Sequence, residues 1–204
     1  MTKESQKNGL YASYYHDDFN GQKKKQRSYK DGKLDGKYTS WHENGQIETE
    51  GNYVVGKPDG KLTMWHENGQ IESEGNCVNG ERDGKYTWWH ENGQIETEGN
   101  FNDGKQDGNW TYWYANGQLE IEQIYVDYKG DGVWTYWYEN GQLKLEENYK
   151  DGKLDGKWTE RHPNGQKWQE GNYKDSNPEG KFTFWNEDGT IDKVEYYENG
   201  ELVK

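Results

Sequence analysis

Several of the usual means of holding a chain together are scarce in this sequence. Only 28% of the 204 residues are hydrophobic, too few for the aliphatic core of an ordinary domain of that length. There is one cysteine, Cys77, so no internal disulfide can take over from a core; it reads as a small apolar residue in a strand. Proline is limited to 3 residues. There is no apolar run of about 18 residues that could span a bilayer, and Met1 to Leu10 is polar where an export signal would be apolar. The expectation is a cytoplasmic protein if Met1 is the native start, and a secreted or surface-anchored one if a signal was removed. Basic charge is also in deficit, with 25 Lys and Arg against 38 Asp and Glu and a formal net charge of −13. That field repels nucleic-acid phosphates and anionic lipid, which disfavours both as partners.

Aromatic residues and glycine are abundant instead. Trp, Tyr and Phe number 11, 17 and 4, whereas chains that stay unfolded are poor in them. Glycine, at 27 residues, is about twice its usual share of roughly 7%. Turns and aromatic strands fit this composition better than helices.

The chain is periodic. Asn-Gly pairs begin at Asn20, Asn44, Asn68, Asn92, Asn116, Asn140 and Asn164, each 24 residues after the last, and Asp188-Gly189 continues the series. A second glycine keeps the same interval from Gly36 through Gly180. Eight units without insertion or deletion indicate stacked repeats. Each unit reads as a β-hairpin, with Asn44-Gly45 supplying the two positive φ angles of a type I′ turn. The pairing expected from a two-residue turn sets Tyr38 opposite Gly51, Thr39 opposite Glu50, Ser40 opposite Thr49, Trp41 opposite Glu48 and His42 opposite Ile47. The segment Gly56 to Gly60 is expected to be a loose connection holding Pro58 outside the ladder. Gly51 gives a ring, that of Tyr38, a flat place to lie.

This register sorts the side chains into two faces. Tyr38, Leu62, Tyr86, Trp110, Trp134, Trp158 and Phe182, with Ile47 and its equivalents and Tyr53 and its equivalents, form the expected core face. The other face carries a threonine ladder from Thr39 to Thr183 beside Trp41, Trp65, Trp89, Trp113, Trp137 and Trp185, among many carboxylates, and is expected to be wetter. The predicted fold is all-β: a single elongated, twisted antiparallel meander or solenoid of about eight 24-residue hairpins, roughly 16 strands in all. Residues 1-9 form a tail and 10-204 the repeat domain, with the first and last units as caps. The first unit departs at Asp17 and in the basic run Lys23 to Lys25 with Arg27, expected to be a solvated strand edge; the last closes on the polar hairpin Glu198-Asn-Gly-Glu201.

The segment Gly36-Lys-Tyr-Thr-Ser-Trp-His-Glu-Asn-Gly-Gln-Ile-Glu-Thr-Glu-Gly-Asn-Tyr53 resembles the variant MORN repeat of bacterial proteins, and the resemblance extends over residues 10 to 204. Proteins similar to this are commonly labelled YwqK-family antitoxins, while other MORN proteins act as scaffolds or lipid-associated modules. The resemblance implies no catalytic residues.

The residues themselves point the same way. His42, His66, His90 and His162 share a register, but equivalent positions in neighbouring units of a sheet lie about 10 Å apart, too far for two imidazoles to reach one zinc ion at about 2 Å each. No metal and no cofactor are expected. Glu48 and Glu50 recur from unit to unit, whereas a catalytic constellation is one asymmetric site. Neither a phosphate loop, a dinucleotide fingerprint nor a nucleophile elbow occurs, so the chain is read as not an enzyme. The candidate site is the Trp row, Trp41, Trp65, Trp89, Trp113, Trp137 and Trp185, rigid anchors with a polar rim that suit another protein. The expected function is a protein-binding scaffold, with antitoxin-like neutralisation as its sharper form. The alternative is a carbohydrate or cell-surface binding module that stacks sugars on the same rings.

Overall fold

A computed structural model describes residues 7–15 and 21–204. Asp17 and Asn20, which figure in the reading of the first unit, lie outside the described residues. The described chain is all-β and divides into two compact units, the first ending at Lys105 and the second running from Gln106 to Lys204.

In the first unit the strands are β1 (Gly9–Tyr14), β2 (Lys23–Lys30), β3 (Lys33–Trp41), β4 (Ile47–Val54), β5 (Lys57–Trp65), β6 (Ile71–Val78), β7 (Glu81–Trp89) and β8 (Ile95–Asn102). Each pairs antiparallel with the next. The second unit continues in the same manner with β9 (Lys105–Trp113), whose first residue closes the first unit, β10 (Leu119–Val126), β11 (Lys129–Gly130) and β12 (Gly132–Trp137). It ends with β13 (Leu143–Lys150), β14 (Lys153–Arg161), β15 (Lys167–Lys174), β16 (Asn177–Trp185), β17 (Ile191–Glu198) and β18 (Glu201–Leu202). The final turn at Asn199 and Gly200 joins β17 to the short β18, the polar hairpin expected from the sequence.

The two turns of each repeat have exchanged roles relative to the sequence reading. At Asn44-Gly45 the Gly45 amide donates to the His42 carbonyl and the His42 amide to the Gln46 carbonyl. Gly45 has φ +88° while Asn44 is not at positive φ. This is a three-residue loop ending in a glycine bulge, not a type I′ turn. The type I′ geometry falls on the connection between hairpins, where both central residues have positive φ: Val55 (50°) with Gly56 (87°), Asn79 (52°) with Gly80 (95°), and Asp151 (51°) with Gly152 (82°). Asparagine suits either turn, so the dipeptide alone did not discriminate. The supposed loose segment is therefore strand: Pro58 lies inside β5 opposite Tyr53, and Gly60, at φ +89°, forms a bulge where the register shifts between Gly51 and Tyr53.

Tyr38, Thr39 and Ser40 pair with Gly51, Glu50 and Thr49 as expected, but a second shift follows and Trp41 pairs with Ile47, not Glu48. The same shift sets Trp65 opposite Ile71, Trp89 opposite Ile95, Trp137 opposite Leu143 and Trp185 opposite Ile191. Side chains directly opposite one another share a face, so these aliphatic residues accompany the tryptophans and leave the expected core face. Ile47 stays 37% exposed.

The expected core face keeps its aromatic centre: Tyr86, Trp110, Trp158 and Phe182 are buried. The threonine face is drier than expected, since Thr39, Thr63, Thr87, Thr159 and Thr183 are buried as well. Each sits in the middle of its strand with a lysine two residues back; two residues on, four of them have a tryptophan and Thr159 has Arg161. In four of the five, that lysine reaches a glutamate of the paired strand: Lys37–Glu50 (2.5 Å), Lys61–Glu74 (2.9 Å), Lys85–Glu98 (2.8 Å) and Lys157–Glu170 (3.0 Å).

The glycines of the core face receive a side chain from the next hairpin. A Cβ on Gly51 would stand 2.8 Å from Leu62 Cδ1, and those on Gly75 and Gly171 would collide with the rings of Tyr86 and Phe182. The flat place beside Gly51 is thus filled from the neighbouring repeat, by Leu62, and not by Tyr38 of its own hairpin.

Candidate functional site

The edge carrying the Asn-Gly loops is where histidine, asparagine, tryptophan and free carboxylates meet. His42 Nε2 lies 2.7 Å from the Trp65 carbonyl oxygen and His66 Nε2 2.7 Å from that of Trp89. Because a carbonyl only accepts, the proton is on Nε2. Tyr114 and Tyr138 occupy the same register and donate their hydroxyls to the carbonyls of Trp137 and Arg161, both at 2.7 Å. These imidazoles and phenols tie one hairpin to the next. The amide of the loop asparagine does the same: Asn68 Nδ2 donates to the Glu91 carbonyl at 2.7 Å while its Oδ1 accepts from the Gln70 amide. On the opposite edge, amides of the type I′ turns bond back to the preceding hairpin, for example Gly80 N to Pro58 O at 2.9 Å.

All six candidate tryptophans are half-buried. In the first unit Trp41, Trp65 and Trp89 come in the same register, with Glu43, Glu67 and Glu91 in the loops after them and Glu48, Glu72 and Glu96 next to their paired isoleucines. None of these six carboxylates forms an ion pair among the described residues. The Tyr15 phenol is pushed up by partial burial first, and then by the charges of Glu48, Glu43 and Glu67. Trp113, Trp137 and Trp185 occupy the equivalent places in the second unit.

The basic run is absorbed into this surface. Lys23 and Lys24 lie on β2, which β1 covers, so they are not at the sheet edge. The Lys23 ammonium stands 5.6 Å from the Trp41 ring centroid and that of Lys24 4.9 Å from Tyr15, within cation–π range. Lys167 stands in the same way 5.4 Å from Trp185.

Beside Trp89 a groove of about 410 Å³ opens between Lys61 and Lys85, lined also by Glu74, Gly75, Asn76 and Thr87. A second groove, bounded by Lys37 and Lys61, lies one repeat away.

On the other face Cys77 is buried, and its sulfur lies 3.1 Å from the Tyr86 hydroxyl. It occupies the register held elsewhere by Tyr53 and Phe101, and the Arg82 guanidinium lies 5.3, 5.4 and 5.2 Å from the ring centroids of Tyr86, Trp88 and Phe101. The sequence reading of Cys77 as a small apolar residue in a strand holds; its aromatic and cationic surroundings had no signal in the sequence spacing.

A family model described as the MORN repeat variant matches residues 34–54, 58–79, 82–103, 106–127, 130–151 and 154–175, more than half of the chain. Each match covers one hairpin between successive inter-hairpin turns. The hairpins β1–β2 and β16–β17 lie outside the matches but follow the same strand pattern. No curated protein matches the chain with significance. Repeats of this kind serve in general as non-enzymatic scaffolds for interaction with proteins or membranes. With six tandem matches in step with six observed hairpins, the chain belongs to the MORN repeat variant family.

Proposed function

We propose that the chain is a non-enzymatic scaffold that holds a basic partner protein against its tryptophans, Trp41, Trp65 and Trp89 in the first unit and Trp113, Trp137 and Trp185 in the equivalent places of the second, and neutralises that partner in the manner of an antitoxin. The observation that carries this reading is the set of half-exposed rings at Trp41, Trp65 and Trp89 flanked by six glutamates with no ion pair among the described residues. Aromatic anchors with a charged rim give a protein surface both contact area and partner selectivity. A negative field also accelerates encounter with a positive partner in a salt-dependent way.

The test is to capture the partner from the source cell and titrate it against wild type and the Trp65→Ala, Trp89→Ala double variant. The expected results are at least a tenfold loss of affinity in a variant that remains folded, an association rate that falls with salt, and relief of partner toxicity on coexpression. Unchanged affinity in the folded double variant would remove the tryptophan row from the function. A second reading, carbohydrate binding, is favoured by the groove that sets Trp89 beside Asn76, Thr87 and Lys85, a ring with polar neighbours suited to a sugar. A saturable change in tryptophan fluorescence with oligosaccharides, abolished by Trp89→Ala, would select it.

A further inference from the structure

One register on the aromatic face breaks the repeat. It holds glycine at Gly51, Gly75, Gly99 and Gly171, but Gln123, Glu147 and Glu195 elsewhere in the second unit. At Glu195 the carboxylate holds an ammonium group. Lys193 Nζ lies 2.8 Å from Glu195 Oε1 and the Tyr197 hydroxyl donates to Oε2 at 2.9 Å. The same Nζ stands 4.4 Å from the centroid of the Phe184 ring. A carboxylate, a phenol and an aromatic face thus cradle one cation, a combination that recognises ammonium groups.

Glu147 stands two repeats earlier with the same neighbours. Tyr149 replaces Tyr197 in register and Tyr136 replaces Phe184; Tyr136 pairs with Leu145 just as Phe184 pairs with Lys193. The cation is what is missing, because Leu145 occupies the position of Lys193. Glu147 receives neutral donors only: the hydroxyls of Tyr136 and Tyr149 reach Oε2 at 3.3 and 3.2 Å, and Trp158 Nε1 reaches Oε1 at 3.3 Å. These are long for bonds to a carboxylate, which close to about 2.5–2.9 Å when charge assists. Oε2 has both its lone pairs engaged and Oε1 retains one. The carboxylate is half-buried, with Trp134 and Trp158 as its cross-strand neighbours, and has no ion pair among the described residues. A charge in such surroundings is more strongly drawn to a counter-ion than one in open water.

We propose that Glu147, with Tyr136, Tyr149 and Trp158, binds an organic ammonium group in the place that Lys193 Nζ takes at Glu195, and that a lysine side chain of a bound protein supplies it. The site is independent of the tryptophan row and stands or falls without it. Two substitutions isolate it with the chain intact. Glu147→Gln installs the residue present at Gln123, and Leu145→Lys installs the internal cation of the last hairpin.

The probe is n-butylammonium, with n-butanol as the neutral control, and the readout is the Trp158 indole N–H resonance. Butylammonium is expected to shift that resonance saturably and butanol to leave it in place. Glu147→Gln should weaken the response at least tenfold, and Leu145→Lys should abolish it with the other indole resonances retained. A short extended peptide carrying one lysine should bind more tightly than the free amine. No saturable shift with the wild type, equal binding of butanol, or affinity within twofold of wild type in either folded variant would overturn the site. A peptide that binds no better than butylammonium would overturn its assignment to a protein side chain.

Discussion

Gly75 and Gly84 allow the packing logic of the repeat to be tested by the same substitution at two glycines that are constrained for different reasons. Gly75 lies in β6 without a positive φ, and alanine there would drive its Cβ into the ring of Tyr86. Gly84 lies in β7 at φ +74°, and a Cβ there meets nothing within 4 Å. Gly84→Ala therefore carries only the cost of a left-handed conformation, about 1–2 kcal/mol. At Gly75 the ring must leave. Tyr86 is 3% exposed, and a side chain of its size buries about 150–250 Å². At about 25 cal/mol per Å², full expulsion would forfeit roughly 4–6 kcal/mol. Partial accommodation lowers this toward the 1–3 kcal/mol typical of overpacked cores. Gly75→Ala is accordingly expected to cost about 3 kcal/mol, more than Gly84→Ala.

The same geometry fixes the sign of a rescue. Gly51 faces Leu62 where Gly75 faces Tyr86, and Leu62 meets the added Cβ with a terminal methyl that can rotate away. Gly51→Ala should therefore be milder than Gly75→Ala, and Tyr86→Leu should recover at least about 1 kcal/mol of the Gly75→Ala loss in a double-mutant cycle. Urea unfolding followed by tryptophan fluorescence measures the series, with hydrogen exchange of the β6 and β7 amides locating the damage. If Gly75→Ala costs no more than Gly84→Ala, or if Tyr86→Leu shows no coupling to it, the glycine is not there to admit the neighbouring ring.

Three further outcomes follow from the ladders and the phenols. Asn68→Asp replaces the amide that donates to the Glu91 carbonyl with an acceptor and should lower stability by about 1–2 kcal/mol; a thermal midpoint unchanged within about 1 °C would contradict it. Val55 holds φ 50° at a turn position where other units place Asp or Asn, and its side chain is 58% exposed. Val55→Asn should raise stability by about 1 kcal/mol, measured by urea midpoint, because asparagine tolerates the left-handed region. The Tyr136 phenol is pushed up to about 12, first by burial and then by the charge of Glu147. A raised folded value means that stability is fully present below the ordinary tyrosine value near 10 and is lost as pH rises through the folded value. Spectrophotometric titration should therefore show the last phenols ionising together with unfolding, and Tyr136→Phe should shift that alkaline transition upward.

Periodicity made the hairpins, the strand direction and the pairs Tyr38–Gly51, Thr39–Glu50 and Ser40–Thr49 legible from the sequence, because each needs only the alternation of side chains along a strand. It could not reveal the shift that brings Ile47 opposite Trp41. A bulge adds a residue without changing the repeat length, so it leaves the 24-residue interval intact. The two turns were confused for a related reason: Asn-Gly satisfies both loops, and the hydrogen bonds around His42 and Gln46 and the φ of the first loop residue distinguish them. The histidine register was read as unsuited to metal on distance alone, but its actual partner, the Trp carbonyl of the following hairpin, is a backbone group that no side-chain pattern marks.

The departures from the repeat show how position within the stack determines which residues a unit needs. Asp188 stands where earlier units have asparagine, and it accepts from the Thr190 amide just as Asn164 accepts from that of Gln166. Only the donor half of the asparagine has been lost, the half that at Asn164 bonds to the Glu187 carbonyl of the next hairpin. Lys193 is the counterpart at the ligand level: with Glu195 it completes a cradle that Glu147 holds without a cation. In a chain whose units are nearly interchangeable, a glutamate in a glycine register is therefore more informative than any recurring residue. The recurring histidines and asparagines are accounted for by bonds to the next hairpin, whereas Glu147 sets a carboxylate among neutral donors.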